Sequence, residues 1–251
     1  YTVEGKGEPL ILVHGLEANA DLNWRWSGIN RALRKHFTVI SFDLRGHGLS
    51  DKPRDPAQYG MEMMEDVVRL MDHLKIPKAH VAGYSLGGFI VVKLILAHPD
   101  RVISAAVCGA GYKRPDEPGS LNPLEQVPDK KEATTNPLVR FVKKCVAAVI
   151  EFVRSYAESH LNDRVATAEC KKTLDQYFDV DEAALRANKV PTACFIGTRD
   201  HVMKFTQALV ERLGNSEFHP IEGADHITPP MRSDFKQGLV DFFLAHRMNA
   251  K

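Results

Sequence analysis

No stretch of this 251-residue chain stays apolar for the roughly 20 residues that a bilayer crossing requires. Runs such as residues 89–96 are broken by Lys93, so no membrane span is expected. An excess of one charge is also lacking. Thirty-three Lys and Arg against 32 Asp and Glu leave +1, too little to gather nucleic acid or an anionic membrane, so a small-molecule partner is expected. Cysteine is scarce, at positions 108, 145, 170 and 194, and no two are spaced as a redox or metal-ligand pair. That disfavours a disulfide scaffold. Free, buried thiols and hence a reducing, cytoplasmic location are expected, although the sequence opens at Tyr1, so an upstream segment is left open. Internal repeats and low-complexity tracts are absent, and a 44% hydrophobic content is enough for a sizeable core.

What is present is an alternation. Short, largely β-branched runs at 10–13, 38–42, 80–82 and 102–107 read as strands, and 26–35, 61–74 and 86–97 have helical length. Pro77 and Pro99 follow the second and third helices as stop signals. Residues 1–4 read as part of a further strand. The order implies an α/β fold, a mostly parallel sheet with helices on its faces. Between 112 and 190 the rhythm breaks: Pro115, Pro118, Gly119, Pro123 and Pro128 mark a loop, and 136–160 is strongly apolar. This segment reads as an inserted helical cap. Phe141, Val142 and Ile150 belong to an apolar surface wider than one helix face, so they and Tyr84 are candidate pocket residues. Strands at 192–196 and 218–221 and helices at 204–213 and 233–245 then resume the alternation. Residues 1–111 and 191–251 are thus expected to form one core domain interrupted by 112–190.

The most informative motif is Gly83-Tyr84-Ser85-Leu86-Gly87-Gly88, directly after one strand and directly before a helix. A serine on so sharp a turn needs glycines around it, because the backbone is strained and flanking side chains would collide. Ser85 is therefore the candidate nucleophile. The Leu86 N–H, at the helix start, is one candidate oxyanion donor; the Leu16 N–H, after a strand that runs into His14-Gly15, is the other.

A serine hydroxyl needs a base, and the base needs a carboxylate, both on loops at the same sheet edge. Residues closely following a strand pass that filter. His226 follows strand 218–221, and Asp200 follows strand 192–196. Asp225 is a weaker candidate acid, since neighbours on a loop seldom align their side chains. His14 is expected to hold its loop, His201 and His219 to be surface or packing residues, and Asp43 and Arg45 to pair locally.

Taken together, His14-Gly15, Asp43-Leu44-Arg45-Gly46-His47-Gly48-Leu49-Ser50, the turn around Ser85, Gly197-Thr198-Arg199-Asp200 and Gly223-Ala224-Asp225-His226 make the chain resemble the α/β-hydrolase fold superfamily, in particular its small esterase-like serine hydrolases with a helical cap. The resemblance implies one antiparallel strand near the start, a cap between the sixth and seventh strands, and catalysis with no metal and no cofactor. Serine at position 85 argues against the branches whose nucleophile is a carboxylate. An ester substrate is expected. Alternatives are a carbon–carbon bond hydrolase, a thioesterase or lactonase, a perhydrolase resembling cofactor-free haloperoxidases, and a small-molecule receptor on the same scaffold.

Overall fold

A computed structural model describes residues 1–113 and 163–248. Seven strands form one sheet: β1 (Thr2–Gly5), β2 (Pro9–Val13), β3 (Thr38–Phe42), β4 (Ala79–Tyr84), β5 (Val102–Cys108), β6 (Thr192–Gly197) and β7 (Ser216–Ile221). Their order is β1-β3-β2-β4-β5-β6-β7. Only β1 runs antiparallel to its neighbour, as the resemblance implies. All six residues of β4 are buried, the mark of a strand covered on both faces.

The covering follows from period-two alternation. Ile11 and Val13 of β2 pack on one side, in a core shared with α2 (Met61–His73) and α3 (Leu86–Ala97). Leu10 and Leu12 pack on the other, with α1 (Ile29–Leu33) and α7 (Ser233–Ala245). The helix expected over 26–35 shrinks to α1, because Gly28 takes a left-handed φ of 83° and ends the preceding turn. Trp26, counted as helical, is left exposed.

Strands β5 and β6 are direct parallel neighbours, so the connection between them, residues 109–191, leaves the sheet and returns to it. It joins the fifth and sixth strands of this chain rather than the sixth and seventh. Its described end holds α4 (Arg164–Lys171), a 3-10 turn (Leu174–Tyr177) and α5 (Glu182–Ala187). Cys170, Leu174, Tyr177 and Leu185 are buried in the core under α2 and α3. The Tyr177 hydroxyl donates to the Gly60 carbonyl, and Arg54 grips Asp163 through two hydrogen bonds of 2.6 and 2.7 Å. Phe141, Val142, Ile150 and Cys145 lie outside the described residues. The last helix before β7 is α6 (Met203–Arg212). No described helix is long and apolar enough to cross a membrane.

The expected Asp43–Arg45 pair does not form. Arg45 instead forks onto Asp66 of α2, with Nε and a terminal nitrogen each 2.6 Å from a carboxylate oxygen, and also donates to the Gln58 carbonyl. Asp43 accepts the Ala20 and Leu49 amides at 2.9 and 2.8 Å, tying together the loops after β2 and β3. Two residues apart along a loop, the side chains find better-oriented partners across space. Replacing Asp66 by Ala leaves the Arg45 fork without its acceptor and is expected to lower unfolding free energy by about 1–3 kcal/mol, read from urea denaturation midpoints.

Candidate active site

Strand β4 ends at Tyr84 and α3 begins at Leu86, so the chain reverses within Ser85 itself. Its φ of 53° and ψ of −115° lie where L-residues are strained by about 1–3 kcal/mol. The surroundings hold it there. The Ser85 N–H donates to the Cys108 carbonyl at 2.8 Å, and the Phe89 N–H donates to the Ser85 carbonyl at 3.1 Å. A Cβ on Gly83 would stand 2.0 Å from the Gly87 carbonyl oxygen, and one on Gly87 would stand 2.1 Å from that of Val13. Only glycine permits this approach of backbones.

Loops from two other strands meet the serine. His226, five residues beyond β7, brings Nε2 to 3.0 Å from the Ser85 hydroxyl, and its Nδ1 lies 2.8 Å from Asp200 Oδ2, three residues beyond β6. The partners define the proton positions. A carboxylate only accepts, so Nδ1 carries the hydrogen and Nε2 is left bare toward the serine hydroxyl. The Asp200 side chain is fully buried, and its Oδ1 accepts the Val202 N–H at 3.0 Å, so both oxygens are engaged. The two loops are stitched by Thr198 N–H to Ile221 O and Arg199 N–H to Ala224 O. Asp225, the competing acid, spends Oδ1 on the Ile227 and Thr228 amides of its own turn.

Tyr84 is not where a pocket residue was expected. Its ring packs edge-on against Trp24 and Phe235 in the core, and its hydroxyl donates to the His226 carbonyl at 3.0 Å. It braces the histidine loop from below. His201, expected to be peripheral, is part of the site: its ring lies 4.7 Å from that of His226, and its Nδ1 is 3.4 Å from Asp200 Oδ1. Adjacency to Asp200 was the sole sequence signal for it.

The loop after β2 flanks Ser85 on the other side. A Cβ on Gly15 would stand 3.2 Å from the Ser85 Cβ, which places Leu16 beside the serine. Among the described residues neither the Leu16 nor the Leu86 amide meets an acceptor. His14 sets this loop. Its Nδ1 donates to the Gly15 carbonyl at 2.7 Å and its Nε2 accepts the Leu44 N–H at 2.9 Å. Both nitrogens are used by the neutral ring. Burial, reinforced by neighbouring His47, pushes the His14 imidazole down to about 3.

A second serine–histidine–carboxylate line lies deeper. The Ser104 hydroxyl is 2.8 Å from His80 Nδ1, and His80 Nε2 is 3.0 Å from Glu8. Ser104 and His80 are both 0% exposed, which keeps any substrate away. Cys108, Cys170 and Cys194 are free and buried; burial raises all three thiols, Cys170 and Cys194 to about 12, so none is a nucleophile at neutral pH. A cavity of about 470 Å³ lined by Leu96, Val102, Ala184 and Val190 opens near the starts of β5 and β6, the sheet edge opposite Ser85.

Gly83→Ala is expected to cost about 3 kcal/mol or more, because the clash is with backbone that cannot rotate away; a thermal melt within a degree or two of the parent would contradict it. The buried histidine sets an acid limit. Protonation of His14 is favoured in the unfolded chain at 6.5 and in the folded one only near 3, so the unfolded state binds the extra proton between these values. The stabilisation is full above pH 6.5 and is lost progressively as pH falls toward 3. His47 and His80, lowered chiefly by burial, act in the same direction. Urea midpoints are therefore expected to fall as pH is taken from about 7 to about 5, with proton uptake on unfolding.

Known proteins resemble this chain along nearly its whole length. The chain is 26% identical over 96% of its length to a Caulobacter segnis protein provisionally named carbamate hydrolase RutD, covering 93% of that protein. Among solved structures, an enol-lactonase from Burkholderia xenovorans matches with a TM-score of 0.73 and 25% identity, over 97% of this chain and 95% of that one. A meta-cleavage product hydrolase from Pseudomonas fluorescens matches the fold with a TM-score of 0.80 at 24% identity, over 98% and 94% of the two chains. The sequence model of the alpha/beta hydrolase fold matches residues 8–229, from before β2 to beyond His226, and the chain belongs to the α/β-hydrolase fold family.

Proposed function

We propose that this protein is a serine hydrolase that cleaves carboxylic esters of small to medium hydrophobic compounds through an acyl-enzyme at Ser85. The observation that carries the reading is the continuous line from the Ser85 hydroxyl to His226 Nε2 at 3.0 Å and from His226 Nδ1 to Asp200 at 2.8 Å. In this mechanism the Ser85 oxygen bonds to the ester carbonyl carbon as its proton passes to His226 Nε2. Asp200 stabilises the imidazolium so formed. The Leu16 and Leu86 amides receive the oxyanion, which collapses, expelling the alcohol with the proton from His226. Water, deprotonated by the same histidine, then releases the acid and restores Ser85. No step needs a metal or cofactor. Phe141, Val142 and Ile150, as part of a cap over 112–190, would supply an apolar acyl or alcohol site.

Lactone or carbamate cleavage is the second reading. It is favoured by near full-length similarity to an enol-lactonase and to a protein provisionally named a carbamate hydrolase. Both bonds present the same acyl carbon to a serine.

Ser85→Ala is expected to lower turnover of a p-nitrophenyl ester by on the order of 10⁴-fold or more, and Asp200→Asn by about 10⁴-fold, through loss of the correct tautomer. A fluorophosphonate probe should label Ser85, located by mass spectrometry of the peptide. Ester turnover surviving in Ser85→Ala would remove the nucleophile. Rapid labelling with negligible multiple turnover across aryl esters, enol-lactones and carbamates would instead favour a small-molecule receptor.

A further inference from the structure

Histidine–carboxylate contacts recur over the molecule, as His80 with Glu8, His98 with Glu65 and His219 with Glu217. Each offers two ligand atoms. Among the described residues, one place gathers three: Asp200, His201 and His226 each present a ligating atom, all within 4.8 Å of one another. We infer that these three side chains form an inhibitory binding site for a divalent transition-metal ion of the Zn2+ class, one that removes the base from Ser85. The inhibitory consequence rests on the reading of His226 as that base; the binding site does not.

Two imidazoles and one carboxylate, with a fourth position left for water, are a donor set suited to zinc rather than to magnesium or calcium. The three ligand atoms lie close enough to be drawn onto one ion, all within 4.8 Å of one another. Zinc bonds of about 2.0–2.2 Å in a tetrahedron require ligand atoms about 3.4 Å apart. Here His226 Nδ1 and Asp200 Oδ2 are 2.8 Å apart, and His201 Nδ1 and Asp200 Oδ1 are 3.4 Å apart. The imidazoles address different oxygens of Asp200, so closing on one ion requires the side chains to shift. Asp200 is held in place by the Val202 amide, an outer contact of the kind that orients metal-bound carboxylates. The His201 and His226 side chains are 11% and 16% exposed, so the cluster lies at the edge of the buried interior rather than deep within it.

The consequence for the serine follows from proton accounting. When the metal takes the Nδ1 lone pair of His226, the hydrogen on Nδ1 moves to Nε2; the ring remains neutral and no net proton is released. Nε2 then faces Ser85 as a donor, where without metal it accepts from the hydroxyl at 3.0 Å. Ser85 is left facing a donor and loses its base.

Isothermal titration of the full chain with ZnCl₂ tests the site without reference to turnover. One equivalent is expected to bind to the wild type and equally to Ser85→Ala, and about 10-fold or more weakly to His201→Phe, which keeps a ring against His226 but no ligand atom. His201→Gln serves as companion should the Phe variant fail to fold. Ester hydrolysis, normalised to each protein's metal-free rate, should be inhibited by Zn2+ in the wild type, recover with EDTA, and resist in the His201 variant. Equal zinc affinity with and without His201, or no binding at all, would overturn the inference. Binding that depends on His201 in a protein lacking ester turnover would uphold the metal site while removing the ester-hydrolase reading.

Discussion

The geometry around Ser85 depends on backbone meeting backbone. Gly83 and Gly87 allow the end of β4, the start of α3 and the end of β2 to approach to distances that no side chain tolerates. This contact forces Ser85 into its left-handed conformation and points its hydroxyl out of the sheet edge. The strain is offset by burial on both sheet faces, where β4 contributes no exposed residue. Rigid support of this kind makes a strained turn a stable part of a fold rather than a weak point in it.

Parallel order then does the assembling. Since β4, β6 and β7 run the same way, the loops after them share one edge, and residues 141 positions apart in sequence, Ser85 and His226, come within 3.0 Å. Buried Asp200 supplies direction as well as charge, fixing which imidazole nitrogen carries the proton. The Ser104–His80–Glu8 line is an instructive contrast. It contains the same three kinds of group at similar distances, yet its serine lies within a strand and is sealed from solvent. Ser85 differs in place rather than in partners: it stands on a turn at the sheet edge, still 8% exposed, beside two amides that meet no acceptor among the described residues.

Much of this was legible along the chain. Strands at 38–42, 80–82, 102–107 and 192–196 lie within or coincide with observed strands, because inner strands of a parallel sheet are apolar and bounded by turn residues, and 218–221 falls within the edge strand β7. The spacing of Asp200 and His226 from their strands was equally readable. Where the reading departed from the structure, the cause lay in contacts between distant segments. Arg45 chose Asp66 over Asp43 because α2 presents its carboxylate to the guanidinium fork. Tyr84 turned toward Phe235 and the His226 carbonyl, where an aromatic ring is covered and its hydroxyl satisfied. Gly28 cut a helix that periodicity alone would have continued.

The order of strands and helices, the strained turn, and the positions of Asp200 and His226 were encoded locally, in hydrophobic period, glycine placement and distance past a strand end. Those signals act over a few residues and survive in one dimension. The proton arrangement on His226, the neutral state of His14 and the gathering of His201 with Asp200 and His226 arose from folding. Each depends on which groups face one another after remote loops meet, and on how far burial has excluded water from between them.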